Sequence, residues 1–254
     1  MKDEPRKVIR VIKAFKTDNA TYDLDEIYGV RASLAKQFVK DGLVEIVKVD
    51  LEEDEEEEVE TPTGPSWEDP ELGTFHFGDF GYVKRVELPA FKAFNFRARR
   101  AKSPQTYPLQ FDGDTADQLP TPTAAALAKL ILANHAALAS KVADALWADF
   151  TGSGPNSGMY WHNDLDQVAQ GMESGKPPRS ARDLFKLMKL SEIRIKKISR
   201  SRAPVLAELN FRAAFEEEHG VGVLTDGLEI LGVGYSGEAE PFKRTGPGKS
   251  GDGK

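Results

Sequence analysis

Residues 51–60, Leu-Glu-Glu-Asp-Glu-Glu-Glu-Glu-Val-Glu, place eight carboxylates in ten positions with no cation among them. Such a run repels itself and cannot be buried in a core. It is followed by Thr-Pro-Thr-Gly-Pro-Ser, which resists regular structure. Residues 51–66 therefore read as an extended linker, and the chain must fold as two modules, 1–50 and 67–240. The Gly-rich, charged tail 241–254 is expected to be disordered. Charge is balanced elsewhere: residues 1–50 carry 10 basic and 9 acidic side chains, and residues 61–254 carry 24 of each. The net charge of −7 thus belongs to the run and to neither module.

The 40% apolar content is enough for a core. No apolar run approaches the roughly 20 residues of a membrane span. The opening Met-Lys-Asp-Glu-Pro-Arg-Lys is too charged to precede a signal-peptide core. The absence of cysteine removes disulfides, thiolate metal sites and cysteine nucleophiles together. The expectation is a cytoplasmic protein with no membrane segment.

In the first module, Val8, Ile9, Val11 and Ile12 predict a strand ending near Phe15, and Tyr22 to Val30 a second short one. Leu34, Phe38 and Val39 have helical spacing in a helix opened by Arg31 or Ser33, with Gly42 as its stop. Leu43, Val44, Ile46, Val47 and Val49 predict a closing strand. About fifty residues is a marginal size for an independent core.

The second module opens with a predicted hairpin, Leu72 to Phe77 and Tyr82 to Leu88, across Gly78-Asp79-Phe80-Gly81. Phe91, Phe94 and Phe96 suggest a third strand, and 104–122 reads as a long polar connection. Over 123–150, Leu127, Ile131, Leu138, Val142 and Leu146 share one helical face. Asn134 is placed to cap a second helix, so one bent helix or two in series are expected. Leu165 to Met172 and Ala181 to Leu190, the latter capped by Ser180, predict two shorter helices. Ile193, Ile195 and Ile198 mark a strand, and Val205 to Phe211 another. In 215–237, two strands flank Asp226-Gly227, a pair suited to the φ > 0 positions of a tight type I′ turn. Val221, Val223, Leu228, Ile230 and Val233 supply its apolar wall. Strands in two blocks around a helical middle predict α+β: a mainly antiparallel sheet with helices packed on one side, preceded by a small β-rich module.

Val8 to Lys16, Tyr22 and Ser33 to Glu45 together resemble a small β-rich module of phage-related bacterial proteins, although Asp25-Glu26 stands where that family has Gly-Asp. Asp69 to Phe75, Leu130 to Trp147, and Glu217 to Val223 with Asp226-Gly227 resemble an uncharacterised bacterial domain-of-unknown-function family, over most of 67–240. Phe215 stands where those relatives often have Trp. Some relatives occur in settings of bacterial competition or immunity, so the resemblance implies protein binding, and it brings no catalytic residues.

Candidate site residues are few. His76, His135, His162 and His219 form no His-Glu-x-x-His pattern and no i, i+4 pair, so no metal and no cofactor are expected. His219 with Glu216, Glu217 and Glu218 could join a metal site or an acid/base pair; the alternative is a structural histidine at the start of a strand. Trp161-His162, in a loop, is the second candidate, against an aromatic that only anchors the loop. The stretch 176–202 holds ten Lys or Arg against Asp183 and Glu192, and Lys186, Arg194 and Lys196 are its candidates for an anionic or nucleic-acid partner. Alternation of Arg194 and Lys196 with isoleucines fits a solvated face equally well. Gly232-Val233-Gly234-Tyr235-Ser236-Gly237 matches a dinucleotide fingerprint literally, but no helix follows it, and its glycines read instead as close backbone packing. The reading that results is a non-catalytic protein-interaction module with a partner that is basic; an anion- or nucleic-acid-associated protein comes second, and an enzyme with a site near His219 third.

Overall fold

The computed structural model describes residues 6–11, 13–17, 21–22, 27–46, 64–96, 106–172, 174–196 and 204–243. The chain divides into two compact units, Met1–Val59 and Glu60–Lys254.

In the first unit, strand β1 (Arg6–Val11) is central, flanked antiparallel by β4 (Ile27–Arg31) and β5 (Val44–Ile46), while β2 (Phe15–Lys16) and β3 (Thr21–Tyr22) form a separate small ladder. Helix α1 (Ala32–Lys40) turns Ala35 and Phe38 into the core with Val11 and Val44, and Phe15 meets Phe38 edge-on at 4.7 Å. Leu34 and Val39, expected on that face, are instead exposed. Gly42, at φ +66°, ends the helix: Gly42 N–H donates to Val39 O and Leu43 N–H to Phe38 O, the bond pair of a Schellman stop. Ile12 and residues 47–63 lie outside the described residues.

The second unit is a mixed α+β fold built on a nine-stranded, mostly antiparallel sheet with helices packed against it. Strands β6 (Ser66–Asp69), β7 (Gly73–Gly78), β8 (Gly81–Glu87) and β9 (Thr106–Asp112) form one meander. Strands β10 (Met188–Ile195), β11 (Ala207–Ala213), β12 (Glu216–Thr225), β13 (Ile230–Tyr235) and β14 (Glu240–Pro241) form another. The meanders join through one parallel pair, Leu109↔Ile193 to Phe111↔Ile195.

Strand β9 lies where a polar connection was expected. Tyr107, Leu109 and Phe111 alternate as a strand should, but Pro108 disguises it. Proline is tolerated because β10 pairs only with residues 109–111, so the missing N–H costs no bond on that side. Folding starts earlier than Trp67, since Ser66 pairs with His76 and Pro65 O accepts Phe77 N–H. The aromatic stretch after β8 is no strand: Pro89–Ala93 is a 3-10 turn that buries Phe91, and Phe94 follows it into the core. Arg97, Arg99 and Arg100 lie outside the described residues.

The helical middle carries the chain back between the two meanders. Helix α2 (Pro122–Phe150) is one continuous element whose N-cap, Thr121, accepts from Ala124 N–H, with Pro122 in the first turn. The expected face is buried: Leu127, Ile131, Leu138, Val142 and Leu146 all lie in the core. Asn134 caps nothing, because its Nδ2 donates to Leu130 O one turn back. By length and composition alone α2 is apolar enough to cross a membrane; here it packs against the Pro89–Ala93 turn, β10 and β13. Helix α3 (Leu165–Gln170) is capped by Asp164, which accepts from Gln167 N–H. Helix α4 (Ala181–Leu187) starts at Ser180 as expected but stops at Leu187, where β10 takes over. Lys189 therefore belongs to a strand. A bulge between Leu190 and Glu192 keeps both Leu190 and Ile193 buried, which hid the strand's period of two.

The β12–β13 connection is wider than a two-residue turn. Only Gly227 has positive φ, at +91°, and Asp226 acts through its carboxylate, which accepts from Leu228 and Glu229 N–H. Leu228, expected in the wall, is exposed. After β13 the chain returns across the sheet. Glu208 is fully buried; its Oε1 accepts from Gly237 and Ala239 N–H, and its Oε2 lies 2.7 Å from Lys196 Nζ. A Cβ at Gly222 would meet Glu208 Oε1 at 2.1 Å, and one at Gly234 would meet Ala239 Cα at 2.8 Å. The literal dinucleotide match is thus close backbone packing. Residues 241–243, assigned above to the tail, stay in the fold: Pro241 pairs with Gly232, and Lys243 N–H donates to Asn156 O. Residues 244–254 lie outside the described residues.

Candidate functional site

The site begins with a carboxylate on the wrong stripe. Asp149 lies three residues after Leu146 and seven after Val142, so α2 carries it into the core, and it is fully buried. The loop after the helix supplies its partners: Ser157 N–H donates at 3.1 Å, Ser157 Oγ at 2.9 Å, and His162 Nδ1 lies 2.6 Å away. Asn163 N–H donates to Asp149 O from a left-handed backbone, φ 53°, a conformation Asn tolerates. Every bond that a buried carboxylate demands is thus made by its own loop.

That loop sets Tyr160 and Trp161 against the start of β12 and the end of β13. Trp161 is 1% exposed and packs edge-on to Phe150, Phe215 and Tyr235. Its Nε1 is buried without a hydrogen-bond partner. The Tyr160 hydroxyl donates to Glu216 in a short contact, while its ring stays 43% exposed. Glu216 is nearly buried, and its Oε1 lies 3.1 Å from His219 Nδ1. The His219 ring in turn lies 4.6 Å from that of Tyr235. Burial, first, and then the hydrogen bond and charge of Glu216 hold the Tyr160 hydroxyl pKa far above the ordinary phenol value, with a smaller contribution from Tyr235. Glu217 and Glu218 are exposed beside this cluster, and Glu218 Oε1 lies 4.0 Å from His219 Nε2.

The two candidates that the sequence kept apart, Trp161-His162 and Glu217-Glu218-His219, therefore meet through Tyr160, Trp161 and Tyr235. Sequence reasoning named Glu216 beside His219 but missed Tyr160 and Asp149. The signal for Asp149 was legible, since a carboxylate on the apolar stripe of a helix requires a partner. The basic candidates are elsewhere. Arg194 and Lys196 lie at the far end of β10, Arg194 3.1 Å from Asp112 and Lys196 against Glu208. Lys186 is exposed on α4, near Asp183. Arg194 and Lys196 alternate with buried Ile193 and Ile195, and each is partly buried against an acid.

A histidine whose Nδ1 meets a buried carboxylate is oriented as a general base would be. At His162, however, the same carboxylate also takes Ser157 N–H and Oγ–H, so the geometry is that of a clasp closing the loop. Among the described residues no group of three His, Asp or Glu side chains is placed to hold a metal ion. What the cluster offers chemically is an exposed aromatic edge, two exposed carboxylates and one exposed imidazole. No family model matches this chain, and no curated protein or solved structure matches it either.

Proposed function

We propose that the second unit is a non-catalytic protein-interaction module that binds a basic protein partner through Tyr160, Glu217, Glu218 and His219. One observation carries this reading: the Tyr160 ring, half exposed, is fixed in place by its bond to Glu216 and stands next to the exposed acids. A rigid aromatic with a polar tip loses little entropy on binding and is the kind of residue that dominates interface energies. Carboxylates at the rim favour a cationic partner. The resemblance to relatives in competition and immunity settings suggests a basic toxin-like protein, and the phage-associated resemblance of the first unit is compatible with that setting. The acidic run 51–60 would then raise the encounter rate by long-range attraction, an effect that fades at high salt.

The test is affinity capture followed by kinetics on the captured partner. Tyr160→Ser and the pair Glu217→Lys, Glu218→Lys are each expected to weaken binding about tenfold or more, mainly through faster dissociation for Tyr160→Ser. A partner that binds both variants as tightly as the wild type removes the proposal.

A further inference from the structure

The opposite end of the same sheet carries a second exposed surface. Strand β7 ends and β8 begins there, at the Asp79-Phe80 turn, beside the carboxyl end of β9 and the 113–121 loop. Phe80 is 68% exposed and Leu119 is 57% exposed. An exposed phenylalanine is ordinary on a mobile turn, but the backbone that carries this one is held. Phe80 O accepts from Gly113 N–H at 3.1 Å and from Gln110 Nε2 at 3.2 Å. Gly81, next in the chain, holds φ +132°, and a Cβ there would meet Phe111 O at 1.9 Å. Only glycine closes this turn.

The 113–121 loop is tied to the same spot. Tyr82 Oη donates to Ala116 O at 2.6 Å, and Gly113 lies against both Gly81 Cα and Gln118 O. Phe80 and Leu119 thus stand on two adjoining, mutually bonded turns, and the exposed carboxylates Asp79, Asp114 and Asp117 belong to those same turns. We infer that this end is a second docking surface, a Phe80–Leu119 knob for a protein that presents an apolar socket rimmed by Lys and Arg side chains. Charge selects the occupant. A second copy of this chain, meeting knob to knob about a two-fold axis, would set Asp79, Asp114 and Asp117 against themselves. An anionic membrane would be repelled by the same three groups. A cationic rim complements the charge of these three acids while the apolar side chains are buried.

The strands separate this surface from the Tyr160–His219 cluster, so the two proposals stand or fall apart. The test uses the full chain and a displayed library of random peptides as the probe. Peptides recovered on the wild type are expected to combine apolar residues with Lys or Arg, and to lose about tenfold or more in affinity on Phe80→Ser. Asp79→Asn with Asp114→Asn and Asp117→Asn should cost several-fold at low salt and little at roughly 0.5 M, where screening is short-ranged. Unchanged melting certifies the Phe80→Ser variant, and Leu119→Ser replaces it if melting falls. Peptides that bind wild type and variant alike overturn the inference. So does self-association of the wild type, or its binding to phosphatidylglycerol vesicles, if Phe80→Ser abolishes either.

Discussion

His162 and His219 each present Nδ1 to a carboxylate that the fold has taken out of water, yet the two pairs differ in what surrounds them. Asp149 is shared among a helix end, a serine and a histidine, and the His162 side chain is only 20% exposed. Glu216 holds a tyrosine and a histidine whose outer faces remain in solvent; the His219 side chain is 49% exposed. The first pair fastens a loop to a helix. The second fixes the orientation of groups that something else can touch. A histidine–carboxylate contact is therefore not itself a sign of function; the exposure of the groups it orders decides.

The largest effect should come from Asp149→Ala, which strands Ser157 and His162 without an acceptor. Loss of about 3 kcal/mol is expected, the scale of breaking a buried charged network, or a melting temperature lower by roughly 6–12 °C for a unit of this size. Calorimetry that finds the variant as stable as the wild type would dissolve the distinction between the two pairs.

Glu216→Gln should cost less, about 1–2 kcal/mol, since its partners can turn to water. Its sharper signature is the titration of Tyr160. The raised pKa means that the folded state keeps the phenolic proton where the unfolded state, near the ordinary value of 10.0, has lost it. Its contribution to stability is therefore complete below pH 10 and declines as pH rises further. Ultraviolet titration of the six tyrosines should show Tyr160 ionising late, beyond Tyr107, whose pKa burial alone also raises. Tyr160→Phe should delete that late step, and Glu216→Gln should move it to lower pH. A late step that persists in Tyr160→Phe assigns it to another tyrosine.

The smallest effect is expected at His219→Ala, within about 0.5 kcal/mol in denaturant unfolding, as for most exposed positions. A loss above 2 kcal/mol would make the second pair a clasp like the first.

The fold class was legible because periodicity survives context. Leu127 to Leu146 mark a buried helix whatever lies across from them, and Ser180 starts its helix by local chemistry alone. Elements were lost where one residue contradicts its neighbours for a reason supplied at a distance. Pro108 hides β9 because the sequence does not reveal that β10 pairs only beyond it. The Leu190–Glu192 bulge hides the start of β10 because it shows only in the pairing with β11. The site was half legible for the same reason: His162 and His219 stand out as residue types, whereas Tyr160 gains its meaning from Glu216, 56 positions away.

The parallel seam between β9 and β10 bears on how the chain reaches this structure. Each meander is stitched from neighbours in sequence and can zip locally, but the three pairs from Leu109↔Ile193 to Phe111↔Ile195 join segments separated by the whole helical middle. Closing that span costs chain entropy before the seam returns any contact. Helix α2, by ordering 29 residues of the intervening chain, shortens the flexible span that closing the seam must fix.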